Sequence, residues 1–261
     1  MAFKLRRRPA KASLRYFVYV SDAKLDMLFD QIPPELRQRI SAEAKVDLKL
    51  ASLTIKEAQT PTATRMAKLN VVERYIDRHQ RVGTVQEPGS EYFRGTMPLR
   101  WGWFPDLNAS RDSPNGGFNV AFFSGERDGH TVVLVGSRHH VLGEQPLSVS
   151  ADVMTSSAFP TITMVVVKHV SDVYEKATKL DDLREHRMME WEAEFHTRPE
   201  IVLQMVRMPR LGGPPRWMEF LAVPILEGDV ALPILEGDVG DGPETHTVLA
   251  TPIYVAHANP E

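Results

Sequence analysis

The sequence predicts a single α+β domain: a central, mostly antiparallel or mixed sheet with helices packed largely on one face. Three observations carry this expectation. Residues 14–32, LRYFVYVSDAKLDMLFDQI, run an apolar strand through a polar turn directly into an amphipathic helix. Residues 83–143 and the tail beyond Ile201 are dominated by short β-branched and aromatic runs, which suit a pleated, half-buried surface. Segments of helical periodicity, 22–44, 61–80 and 161–196, precede and separate these runs.

Taken in order, residues 1–13 read as a disordered basic arm and residues 14–261 as the domain. Lys4, Arg6, Arg7, Arg8, Lys11 and Arg15 crowd the start with no acid among them. Such a block is either a solvated tail or a contact for phosphates and acidic lipids, so nucleic acid enters the reading only through this arm. Leu14 to Val20 is the first strand, and Ser21 or Asp22 caps the helix that follows by accepting from its unpaired amides. Leu25, Leu28, Phe29 and Ile32 recur at helical spacing on one face. Pro33-Pro34 ends that helix and opens another over 35–44. Val46 to Ile55 alternates as a strand with one wet face, and Pro61 starts a long helix with the stripe Met66, Leu69, Val72 and Ile76.

Tyr92 to Phe104 reads as a strand, and Phe118 to Phe123 and Thr131 to Val135 as a hairpin joined by the loop Ser124 to His130. Residues 161–178 and 180–196 read as helices, and 201–208, 217–226 and 248–256 as strands. The tandem PILEGDV at 224–239 is too short for a repeat architecture and reads as a duplication that lengthens a hairpin or loop, exposing Glu227, Asp229, Glu236 and Asp238. Oxygen ligands are dense there, but the EF-hand spacing is missing.

Composition excludes several classes. The 261 residues carry a net charge of −3, which gives no global field toward nucleic acid or a membrane. There is no cysteine, so disulfides, thiol catalysis and thiolate zinc sites are out, and a reducing cytoplasm fits. The basic start is not followed by the apolar stretch of a secretion signal. No segment approaches the roughly 20 apolar residues of a membrane helix, since Lys168 and His169 interrupt the longest run.

YFVYVSDAKLDML at 16–28, VVLVGSRHHVLG at 132–143, and MEFLA at 218–222 with VLATPIYVA at 248–256 together resemble an uncharacterised bacterial family found mainly in Streptomyces and its relatives. The resemblance runs from residue 14 to the end and names no chemistry. It implies a bacterial protein associated with conflict or signalling genes. The resemblance implies that MEFLA usually continues with basic residues, where this chain has VPILEGDV.

The leading candidate site is Gly136-Ser137-Arg138-His139-His140, at the end of an apolar strand. Ser137 has the chemistry of a nucleophile or phosphate contact, Arg138 of a two-pronged anion contact, and His139 or His140 of a base near neutral pH. The competing reading is a strand end with a turn and a structural histidine. No Gly-x-Ser-x-Gly elbow is present. Asp22 and Lys24 sit at a strand-to-helix junction where free amides attract anions, although simple capping by Ser21 or Asp22 accounts for the same residues.

His186, Glu190, Glu194 and His196 share a helical face that resembles a carboxylate–histidine metal site, or a solvated charged face. Tyr92, Trp101, Trp103 and Phe104 suit base stacking or core packing. No phosphate-loop, dinucleotide, HExxH or kinase pattern occurs, so no cofactor and no metal site are expected. The function this favours is a non-catalytic, cytoplasmic binding or accessory protein. The alternative is a small-molecule or nucleotide-handling, hydrolase-like enzyme using residues 136–140.

Overall fold

The computed structural model describes residues 15–44, 61–89, 91–105, 117–143, 199–207, 211, 213–230 and 244–259. Over these residues the sheet is not an open layer with helices on one face. Strands make up 47% of them, and five strands close into a barrel. β3 (Tyr92–Pro105) pairs antiparallel with β4 (Gly117–Arg127), and β4 pairs antiparallel with β5 (His130–Ser137). β5 runs parallel to β7 (Thr245–His257), β7 antiparallel to β6 (Arg216–Val230), and β6 returns antiparallel to β3. Two further strands lie outside the ring: β1 (Tyr16–Val20) on β7, and β2 (Val82–Gly83) on β3.

Closure follows from strand length. β3 is 14 residues long and gives Phe93–Leu99 to β6 and Arg100–Pro105 to β4. A strand that changes partners along its length carries the sheet around instead of ending it, and closure leaves no unpaired edge. Side-chain alternation reports which face is buried but not which strand lies alongside, which is why the open α+β sheet was the natural expectation.

The barrel interior includes Phe93, Met97, Leu99, Phe123, Leu134 and Phe220, these six at most 1% exposed. Each such side chain contributes roughly 1.5–3 kcal/mol through burial. Helices cover two separate patches of the outer wall. α1 (Asp22–Gln31), α2 (Pro34–Ala44) and α3 (Pro61–His79) form one layer. Leu25, Phe29, Ile32, Ile40, Leu69, Val72 and Ile76 pack there against Leu221, Ile253, Tyr254 and Ala256, while Leu28 is only partly buried.

The second patch holds α4 (Pro199–Arg207), where a strand over 201–208 was expected. Val202, Leu203 and Val206 cover Phe122, Val133, Val135 and Leu249. The β-branched residues suggested a strand. Pro199 in the first turn, Glu200 beside it and Arg207 in the last turn are the helix signals that outweigh them.

The β4–β5 connection is also shorter than expected. Arg127 pairs with His130, leaving a two-residue turn in which Asp128 and Gly129 have φ of 52° and 76°. Two positive φ angles make the mirror-image type I turn that matches strand twist, and Asp-Gly is its preferred sequence. The first PILEGDV copy completes β6 instead of forming a loop. The second copy, the expected strand at 46–55, the helices at 161–196 with His186, Glu190, Glu194 and His196, and the arm 1–13 lie outside the described residues. Among the described residues no helix is long and apolar enough to cross a membrane.

Candidate functional site

β7 has two successive neighbours along one side, and the candidate site lies where they divide. β5 follows it from His246 to Ala250, and β1 takes over at Tyr254. The Ser21 N–H donates to Ile253 O at 2.9 Å, fixing the end of β1 on β7. The chain leaving β5 folds back onto β1, where Leu142 N–H donates to Val18 O at 2.8 Å and Tyr19 bridges Val141. Tyr19 fills the fork between the two strands. Its ring stands edge-on to Phe123 at 6.0 Å and to His140 at 5.9 Å.

The fork accounts for the glycine in the Gly-Ser-Arg-His-His segment. A Cβ on Gly136 would lie 2.2 Å from Tyr19 Oη and 2.7 Å from its Cζ. Tyr19 Oη is sealed from solvent, close to Ser21 Oγ and the Ser137 backbone but without an aligned hydrogen bond to either. Burial raises its pKa well above the ordinary phenol value, so the phenol stays protonated.

At Ser137 the strand ends in a single 3-10 turn, Arg138–His140. Ser137 Oγ accepts from the His139 N–H at 3.4 Å and so caps the turn. The tight turn places adjacent residues on different sides: His139 is exposed and His140 is turned inward with its side chain 18% exposed. His140 Nδ1 accepts from the Asp22 N–H at 3.4 Å, at the first turn of α1. The second candidate segment therefore meets the first, 118 residues away in sequence. Asp22 is in turn held by α3, with Arg65 Nη2 donating to its Oδ2 at 2.5 Å and Nε 2.5 Å from its Oδ1. An acid in the first turn of α1 also suits the helix dipole.

Ser21 is the N-cap of α1, accepting from Lys24 N–H at 3.5 Å, and Lys24 Nζ lies 3.5 Å from the same Oγ. Burial lowers the Lys24 ammonium to a pKa of about 8. Burial likewise pulls His140 down to about 4; the nearby Asp22 carboxylate opposes this, and Lys24, Arg65 and His139 reinforce it. His140 is thus a neutral imidazole at pH 7. Because Nδ1 accepts, the proton sits on Nε2, which is a donor.

The structure brings Asp22, Lys24 and His140 together, with Ser137 at the neck of the turn, Arg138 partly exposed beside it, and His139 directed away. Arg65, Tyr19 and the role of Gly136 escaped the sequence reading. Nothing local to Arg65 marks it, since its partner lies 43 residues away. A glycine in an otherwise β-branched strand was the available signal for a close approach.

A second polar cluster lies beneath the helices. Glu73, with its side chain 12% exposed, accepts from Arg15 Nη1 at 2.9 Å, Arg94 Nη2 at 3.3 Å and Tyr254 Oη at 3.1 Å. Arg15, grouped by sequence with the basic arm, also pairs with Glu219 at 3.0 Å and helps tie β1 to α3 and β6. Trp101 stacks on Phe123 at 5.9 Å, and Tyr92 packs beside the helical layer. Among the described residues no group of three or more His, Asp and Glu is placed to hold a metal ion.

Residues 15–259 match the model of a family of unknown function, DUF7019. No curated protein and no solved structure matches the chain.

Proposed function

We propose that this chain, which belongs to that family of unknown function, is a non-catalytic binding protein that takes a carboxylate or phosphate group at the Asp22–Lys24–His140 corner. Lys24 carries the reading. Its ammonium is partly buried, its one hydrogen bond among the described residues is to Ser21 Oγ, and no carboxylate there lies within ion-pair distance. A cation withdrawn from water without a counter-charge costs stability, and such a cost is the mark of a residue kept for binding. An anionic group would supply the missing partner. His140 would offer Nε2–H beside it, and Arg65 already neutralises Asp22.

Binding is favoured over hydrolysis because Ser137 Oγ is engaged as a cap and His140 is a poor base at pH 7. A cytoplasmic, bacterial setting and an accessory role in conflict or signalling belong to the same proposal. They rest on the absence of cysteine and on the sequence resemblance.

Thermal unfolding of the full chain in inorganic phosphate, malonate and adenosine monophosphate, against chloride at equal ionic strength, tests the reading. At least one of these should raise the wild-type Tm, Lys24→Met should abolish the rise, and p-nitrophenyl acetate and phosphate should not be turned over. The reading is overturned by no rise with any probe, by an equal rise in the variant, or by turnover that Ser137→Ala removes.

A further inference from the structure

The register of three strands sets a row of ligand-type residues across one end of the barrel, away from the fork. Asp229 on β6 is paired with His246 on β7, and His246 with His130 on β5. Directly paired residues point to the same face, so Asp229, His246 and His130 stand side by side. The two imidazole centroids are 5.7 Å apart with their planes at 65°.

Each ring has its Nδ1 fixed by an oxygen. His246 Nδ1 is 3.0 Å from Asp229 Oδ1, and His130 Nδ1 is 2.9 Å from the Asp128 backbone oxygen. A carbonyl oxygen only accepts, so the neutral form of His130 carries its proton on Nδ1 and its lone pair on Nε2; the Asp229 carboxylate selects the same tautomer in the neutral form of His246. Both rings therefore stand in the form that ligates through Nε2, with the outer oxygen partner that metal-binding histidines commonly have. Neither Nε2 has a hydrogen-bond partner among the described residues, and the His246 side chain is 27% exposed.

We propose that His130 and His246 form a two-imidazole site for a borderline divalent transition ion, with Asp229 as the outer-sphere orienting residue and water in the remaining positions. Imidazole ligation selects copper, nickel and zinc over calcium and magnesium, and affinity should follow the order Cu²⁺ above Ni²⁺. The site shares no residue with the proposed binding corner.

The test is titration of the metal-free full chain with CuCl₂ and NiCl₂ by calorimetry. His130→Gln and His246→Gln should each weaken Cu²⁺ binding at least tenfold, and Asp229→Asn should weaken it about tenfold. Electron paramagnetic resonance of the copper-loaded chain should show nitrogen hyperfine from two imidazoles. Side-chain NMR of the unmodified chain keeps the proposal falsifiable if a variant fails to fold: substoichiometric Cu²⁺ should broaden two of the nine histidines first. Unchanged affinity in both glutamine variants, hyperfine from fewer than two nitrogens, or uniform broadening of all histidines would overturn it.

Discussion

Replacing Gly136 with alanine adds one methyl group at the tightest point of the fork. That methyl would sit 2.2 Å from Tyr19 Oη, 2.7 Å from Cζ and 3.1 Å from Cε2. Comfortable carbon contacts are about 3.5–4.0 Å, so the ring or the strand must yield by about 1 Å. The ring has nowhere to go: Tyr19 is 0% exposed and flanked by Phe123 and His140. Overpacking of this kind costs about 1–3 kcal/mol. Gly136 is not among the positive-φ residues, so alanine brings no backbone strain and stiffens the unfolded chain by about 0.4–1 kcal/mol. A contact of 2.2 Å belongs in the upper half of the overpacking range, so the net loss is about 1–2.6 kcal/mol, or a fall in Tm of roughly 2–10 °C. Urea titration followed by circular dichroism measures it, with an unchanged m-value required. Tyr19→Phe removes the closest atom, so the same glycine substitution in that background should cost at least about 0.5 kcal/mol less. Gly136→Ala equal to or more stable than wild type, or no coupling with Tyr19→Phe, would refute the fork as described.

Three further outcomes follow. Lys24→Met should stabilise the ligand-free chain at pH 7 by on the order of 1–2 kcal/mol, because an unpaired, desolvated ammonium is removed; chemical denaturation checks this. His140 favours its neutral form when folded. Its contribution is therefore fully present above the unfolded pKa near 6.5 and is lost as pH falls toward about 4, because the unfolded chain takes up the proton first. His140→Gln should flatten the stability profile between pH 6.5 and 4, read from melts at matched ionic strength. Glu73→Gln should cost about 2 kcal/mol in urea titration, since a partly buried carboxylate accepting from two guanidinium groups and a phenol becomes neutral.

The helical layer was legible because its signals are local. The stripe Leu25, Phe29 and Ile32, the capping Ser21 and the Pro33-Pro34 stop all act within a few residues of one another. Two strand positions were readable for the same reason: the runs read at 92–104 and 248–256 fall within β3 and β7, whereas the run at 201–208 is α4. The closed ring was not readable, because it depends on β3 and β7 each holding different neighbours along their length. Of the candidate site, Asp22, Lys24 and His140 carried types worth marking. Their convergence across 118 residues, and the anchoring of Asp22 by Arg65, have no local trace.

The pairing of β1 with the second half of β7 has a consequence for synthesis. The first strand of the described residues pairs with one more than 230 residues later, Phe17 with Ala256 and Val20 with Tyr254. A growing polypeptide must therefore extend past residue 257 before α1, α2 and α3 find the wall they cover, leaving Leu25, Phe29 and Ile32 unshielded on the ribosome meanwhile. Such long-range closure slows folding and lengthens exposure to chaperones and to neighbouring nascent chains. C-terminal truncation before residue 245 should thus release aggregation-prone material instead of a smaller stable core.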